Sequence, residues 1–173
     1  MKLYISIRKT GCLFLLLLFA FTSCEKDMVY HRYQPIPFEG WNRKDTLIYV
    51  LPGGLTGKTY RLEMGIRHNE TYPYRDLWIE IYHLLIPYGT HERLHLYLAD
   101  ETGNWKGKGN AGSLYQYTAS GFTLNLQPGD SILQIVHIME TDLLEGITDV
   151  GIRLSLPGGV NAQKNEEKNR KAP

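Results

Sequence analysis

From about residue 45 the chain alternates apolar and polar positions with a period of two, broken by turns that carry glycine or proline. "KTYRLEMGIR" sets Tyr60, Leu62, Met64 and Ile66 on one face and Arg61, Glu63 and Arg67 on the other. "DLWIEIYHLLIP" does the same with Leu77, Ile79 and Ile81, and predicts a turn at Pro87-Tyr88-Gly89. "DTLIYVLP", "RLHLYLAD", "SLYQYTA", "FTLNL", "SILQIVHIM" and "DVGIRLSL" are further strand-sized runs. Alternation over four to eight residues places side chains on the two sides of a pleated sheet, one facing a core and one facing water. Even spacing of such runs, with no long segment of helical period, predicts an all-β fold. The expected form is a two-sheet antiparallel β-sandwich, jelly-roll-like, in a single domain. Only "DLLEG", residues 142–146, reads as one turn of helix.

The same patterning decides the fate of an apparent metal motif. His91-Glu92-Arg93-Leu94-His95 spells H-E-x-x-H, which binds zinc when a helix brings residues four apart onto one face. Here Leu94, Leu96 and Leu98 alternate with Arg93, His95 and Tyr97, a strand period. On a strand the two imidazoles stand about 13 Å apart, at about 3.3 Å per residue. Two ligands of one zinc each lie at roughly 2.0–2.1 Å from it, so that separation excludes a shared ion. No metal site and no cofactor are expected.

The first residues set the compartment. In "MKLYISIRKTGCLFLLLLFAFTSC", Lys2, Arg8 and Lys9 precede an apolar run from Cys12 to Phe21, then Thr22, Ser23 and Cys24. This is a secretory signal pattern, with an apolar run too short to remain as a spanning helix. Phe21-Thr22-Ser23-Cys24 resembles a bacterial lipobox, which implies lipidation of Cys24 as the first residue of the mature chain. The expected organisation is a lipoprotein signal peptide over 1–23, a lipidated cysteine and tether over 24–44, a β-sandwich over 45–157, and a polar disordered tail over 158–173. Several acyl chains hold a protein stably on a bilayer, where one holds it only marginally. A lipid-anchored place in the cell envelope follows, the outer membrane rather than the inner.

Composition adds mainly exclusions. Both cysteines lie within the first 24 residues, so the body offers no disulfide framework and no thiol nucleophile. Removing residues 1–23 takes three basic side chains and no acid, leaving 16 basic residues against 18 acidic ones, a net of −2. That balance gives no basis for a nucleic-acid partner. No Gly-x-Ser-x-Gly elbow is present, and the glycines of 103–109 do not have P-loop spacing. No catalytic residues are expected, and the protein is read as a non-enzyme.

Three stretches remain: "RHNETYPYRDLWIEI" at 67–81, "LADETGNWKGKGNAG" at 98–112 and "LLEGITDVGIRLSL" at 143–156. With Cys24 and Gly40-Trp41, they resemble the gliding-motility lipoprotein GldH family of Bacteroidota, in order from Cys24 to about Leu156. The resemblance implies an anchored envelope protein with no assigned enzymatic activity. Its partners would be other envelope proteins of a gliding or secretion assembly. Physically, Tyr72-Pro73-Tyr74 reads as a turn whose tyrosines cover adjoining sheet, and Asn69 and Asp76 as side chains that shape it. The glycines around Trp105, with Gly146 and Gly151, read as turns and close approaches. Exposed aromatics anchor interfaces, so Trp105, Tyr72 and Tyr74 are the candidate interaction surface. An alternative is a surface-tethered glycan- or peptide-binding module using Trp105 with Tyr115 or Tyr117.

Overall fold

In a computed structural model, which describes residues 27–83, 91–110 and 113–157, every regular element is a strand. In chain order these are β1 (Met28–Pro35), β2 (Trp41–Asn42), β3 (Leu47–Val50), β4 (Lys58–Asn69), β5 (Asp76–His83) and β6 (His91–Tyr97). Then follow β7 (Lys108–Asn110), β8 (Leu114–Leu126), β9 (Ile132–His137), β10 (Leu143–Leu144) and β11 (Ile147–Ser155). One sheet has the order β1-β11-β4-β8-β7 and the other β3-β9-β5-β6, with β10-β2 as a small ribbon. All pairings are antiparallel.

The main pairings are nested. β5 pairs with β6, β4 with β8, β3 with β9 and β1 with β11. This is one long hairpin wound over itself, the jelly roll. The alternation predicted on β4, β5 and β6 is observed: Leu62, Met64, Ile66, Leu77, Ile79, Ile81, Leu94 and Leu96 are buried between the sheets. A hydroxyl crosses that core, from Tyr49 on β3 to the Val150 carbonyl on β11, at 2.8 Å.

His91 to Tyr97 form a strand, as their period requires. Their imidazoles have separate partners: His91 lies beside Tyr82, and His95 stacks on Trp78 while bonding to Asp76.

Three expectations are corrected. The stretch 24–44 is not a tether up to residue 44, because β1 pairs with β11 from Met28 to Pro35 and Trp41 is fully buried. An edge strand with one sheet neighbour and much polar surface, such as "MVYHRYQP", shows little apolar period, and Pro35 sits at its last position as edge strands allow. "DLLEG" is not helical: Leu143-Leu144 pair with Trp41-Asn42, and Gly146 turns at φ 83°. The runs "SLYQYTA" and "FTLNL" are one strand, β8, bulged at Gly121 (φ 100°) where its register on β4 shifts. The signal segment 1–23, Cys24, the Pro87–Gly89 turn and the tail 158–173 lie outside the described residues.

Strand direction gives the domain two unlike poles. The chain enters at Asp27, whose carbonyl accepts from the Leu156 amide. That pole also holds the connections 51–57 and 127–131. At about 3.4 Å per residue, nine-residue β11 separates it by about 30 Å from the other pole. There β1 ends, β4 turns into β5, β6 passes to β8, and β9 passes to β11.

Candidate interaction site

The far pole is built from four connections that contain Gly40-Trp41, the Tyr-Pro-Tyr turn, the Trp105 loop and the Leu143–Ile147 turn. Each is fixed locally. Asn69 Oδ1 accepts from the amide and hydroxyl of Thr71 (2.9 and 2.6 Å), folding the chain after β4. The Tyr72 hydroxyl then donates to the Asp76 carbonyl at 2.7 Å, closing the turn. The Asn69 amide donates to Gly146 O at 2.9 Å. A Cβ on Gly146 would lie 2.3 Å from Tyr72 N, so the two turns touch backbone to backbone. Trp41 is held by its indole N–H to Asp45 O (3.0 Å) and by the edge of the His137 ring.

The loop 98–110 is a strap between the sheets. Its Lys106 amide donates to Leu98 O beyond β6 at 2.8 Å, Ala99 and Trp105 form an isolated bridge, and Lys108–Asn110 pair with β8. Gly107 permits the crossing, since a Cβ there would lie 2.9 Å from the carbonyl carbon of Gln116. Asp100 Oδ1 accepts from Thr102 Oγ1 and from the Thr102 and Asn104 amides. The Thr102 hydroxyl, with the Asn104 groups, holds the Asp100 carboxyl down to about 2, so the loop's cap stays ionised at any physiological pH.

The strap lowers Trp105 onto His68, with ring centroids 4.4 Å apart. Tyr115 stacks on the same imidazole at 5.5 Å and Tyr72 approaches at 5.9 Å. Tyr74 meets the edge of Tyr72 at 5.8 Å. The three expected residues therefore belong to one cluster, but they do not share one role. Tyr72 is 2% exposed, and its hydroxyl is consumed by Asp76 O, so it supports the cluster from inside. Trp105 is half-buried and Tyr74 is exposed. Tyr115 joins the cluster and bonds to Glu70 through its hydroxyl, while Tyr117 faces a separate recess with Lys106 and Lys108.

His68 is the residue the sequence reading missed. It continues the buried parity of β4 after Ile66, and that parity was the available signal. Its burial pushes the imidazole pKa down, partly opposed by the Asn69 carbonyl, so the ring at the centre is neutral near pH 7. A neutral ring among aromatics is a rigid support for apolar contact.

Fold and site together define a jelly-roll domain without a cysteine in its body, whose aromatic side chains converge at the pole opposite the chain entry. The GldH lipoprotein family model matches residues 28–154, and this chain belongs to that family. The chain is 27% identical over 156 residues to the gliding motility lipoprotein GldH of Flavobacterium johnsoniae, covering 86% of this chain and 96% of that one. It is 28% identical over 152 residues to the gliding motility lipoprotein GldH homolog of Christiangramia forsetii, covering 82% and 92%. Membership supports a lipid-anchored place in the cell envelope.

Proposed function

We propose that the domain hangs from acylated Cys24 on the outer membrane and acts by contact, as an accessory component that holds other proteins of a gliding or secretion assembly. It is not an enzyme. The carrying observation is the convergence at one pole of all four connections that bear the family resemblance. A tether at one end leaves the opposite end free to meet a partner, and half-buried aromatics on rigid supports are suited to anchor one. The test is deletion of the gene, with surface spreading and the secreted-protein profile as readouts. Wild-type protein restores both and Cys24→Ala does not; a deletion strain normal in both assays overturns the reading.

A second reading is favoured by one feature. The residues Lys106, Lys108, Gln116, Tyr117 and Thr118 line a recess of about 510 Å³, with hydrogen-bonding groups suited to a glycan. Glycan binding that disappears in Tyr117→Ala would support it, and a blank glycan array would remove it.

A further inference from the structure

The far pole also carries a feature that the aromatic cluster does not use. Pro37 to Gly40 form a turn closed by the Gly40 amide on the Pro37 carbonyl at 3.0 Å. Both ends of the turn are locked. Before it, Ile36 is buried and donates its amide to Thr148 O at 2.8 Å. After it, Trp41 is fully buried, and Gly40 sits so close to Leu144 that a Cβ would lie 2.9 Å from that carbonyl oxygen. On this fixed turn the Phe38 side chain is 103% exposed. Leu143, also exposed, lies against Gly40 on the same side, its Cδ1 3.2 Å from where that Cβ would stand. A free phenylalanine on a rigid turn is an apolar contact made ready in advance, with little ordering cost on binding.

Below Phe38 runs a groove of about 750 Å³. Its apolar lining includes Ile36, Pro37 and Ile147, and its charged lining residues, among the described ones, are Glu39 and Glu145. Neither glutamate is ion-paired among the described residues. An apolar floor under two carboxylates selects for a cation next to an apolar side chain.

We infer that this groove docks an extended segment of a partner envelope protein, one carrying lysine or arginine beside an apolar residue, with Phe38 as the anchor. The inference rests on the contact reading above and gives it a partner chemistry. A bilayer is disfavoured as occupant, since its anionic surface is repelled by Glu39 and Glu145 and the groove opens at the pole away from the chain entry.

The test is photo-crosslinking of the full-length lipoprotein in its own cells, with a benzophenone side chain at Phe38, at Tyr74, or at Val50 near the opposite pole. Position 38 is expected to give an adduct with a basic, apolar segment of an envelope protein, read from the cross-linked peptide by mass spectrometry. Combined Glu39→Lys and Glu145→Lys should lower its yield roughly tenfold, the range expected for reversing two rim charges. Circular dichroism melting of the double variant shows that the domain remains folded. Adducts to lipid, to a second copy of this chain, or to a segment indifferent to the charge reversal overturn the inference, as does no adduct at 38. Cross-linking from Tyr74 without any from Phe38 removes this groove and leaves the contact reading standing. Silence at both positions removes both.

Discussion

The hydroxyl of Tyr49 reaches across the interior from the four-stranded sheet and donates to the carbonyl of Val150 on the five-stranded one, at 2.8 Å. It joins residues 101 apart in the chain, across the hydrophobic core that Tyr49 and Val150 both belong to. Burial pushes this phenol's pKa far up, so it stays protonated and remains a donor at every working pH. Tyr49→Phe keeps the ring and removes the bond, leaving a buried carbonyl short of a partner. The expected loss is about 1–2 kcal/mol. It should appear as a lower urea midpoint at unchanged slope; an unchanged midpoint would mean the bond contributes nothing net.

Two glycines should respond in opposite ways to alanine. Gly146 sits at φ 83°, and its Cβ would meet the Tyr72 amide at 2.3 Å, backbone that cannot step aside. Strain and overlap together give an expected cost of about 3 kcal/mol or more for Gly146→Ala. Gly53, in the loop after β3, has open space around its Cβ and no positive φ. Gly53→Ala should be neutral or stabilise by up to about 1 kcal/mol through the unfolded chain. Thermal melts of the two variants check both, and similar melting temperatures would contradict the packing of the two turns.

Acid should weaken the domain before its carboxylates titrate. Burial lowers the pKa of His68 and of His137, in each case partly opposed by a backbone carbonyl. The unfolded chain therefore binds protons at these sites near pH 6.5, where the native one does not. Their contribution is complete above about pH 6.5 and falls away as pH drops through the lowered native values. Melting temperature should fall between pH 7.5 and pH 5.5, and His68→Phe should fall less steeply. An equal fall in both proteins would show that His68 is not buried as a neutral ring.

Trp105 is both a support and a surface. Trp105→Ala removes the ring that covers His68 and slackens the strap between the sheets. For a half-buried indole the expected cost is roughly 2 kcal/mol, about half that of a fully buried one. Hydrogen exchange should quicken at Lys106 and Ala99 while the core amides of β5 stay protected. Uniform acceleration would mean that the strap is not a separate unit.

Much of the fold was legible because burial on two sides writes a period of two. β4, β5 and β6 show it plainly, and that same period disposed of the zinc motif at His91 and His95. β1 was not legible, because its place depends on pairing with residues 149–155, and backbone pairing leaves no hydropathy trace in "MVYHRYQP". The site was half legible. Aromatic character in a turn marks Trp105, Tyr74 and Tyr72 alike, though Tyr72 lies inside, whereas His68 shows only as the continuation of the parity of Ile66. Phe38 looked like part of a tether, and only the locks at Ile36 and Trp41 reveal it as a fixed projection.

The central claim is that the pole away from the chain entry is the one that meets a partner. Hydroxyl-radical footprinting of the full-length protein in intact envelopes, compared with the purified domain, measures it most directly. The account predicts that Phe38, Tyr74 and Trp105 oxidise more slowly in the envelope while Tyr82 and Phe122, towards the other pole, are unchanged. Equal rates at Phe38, Tyr74 and Trp105, or protection confined to Tyr82 and Phe122, would contradict it.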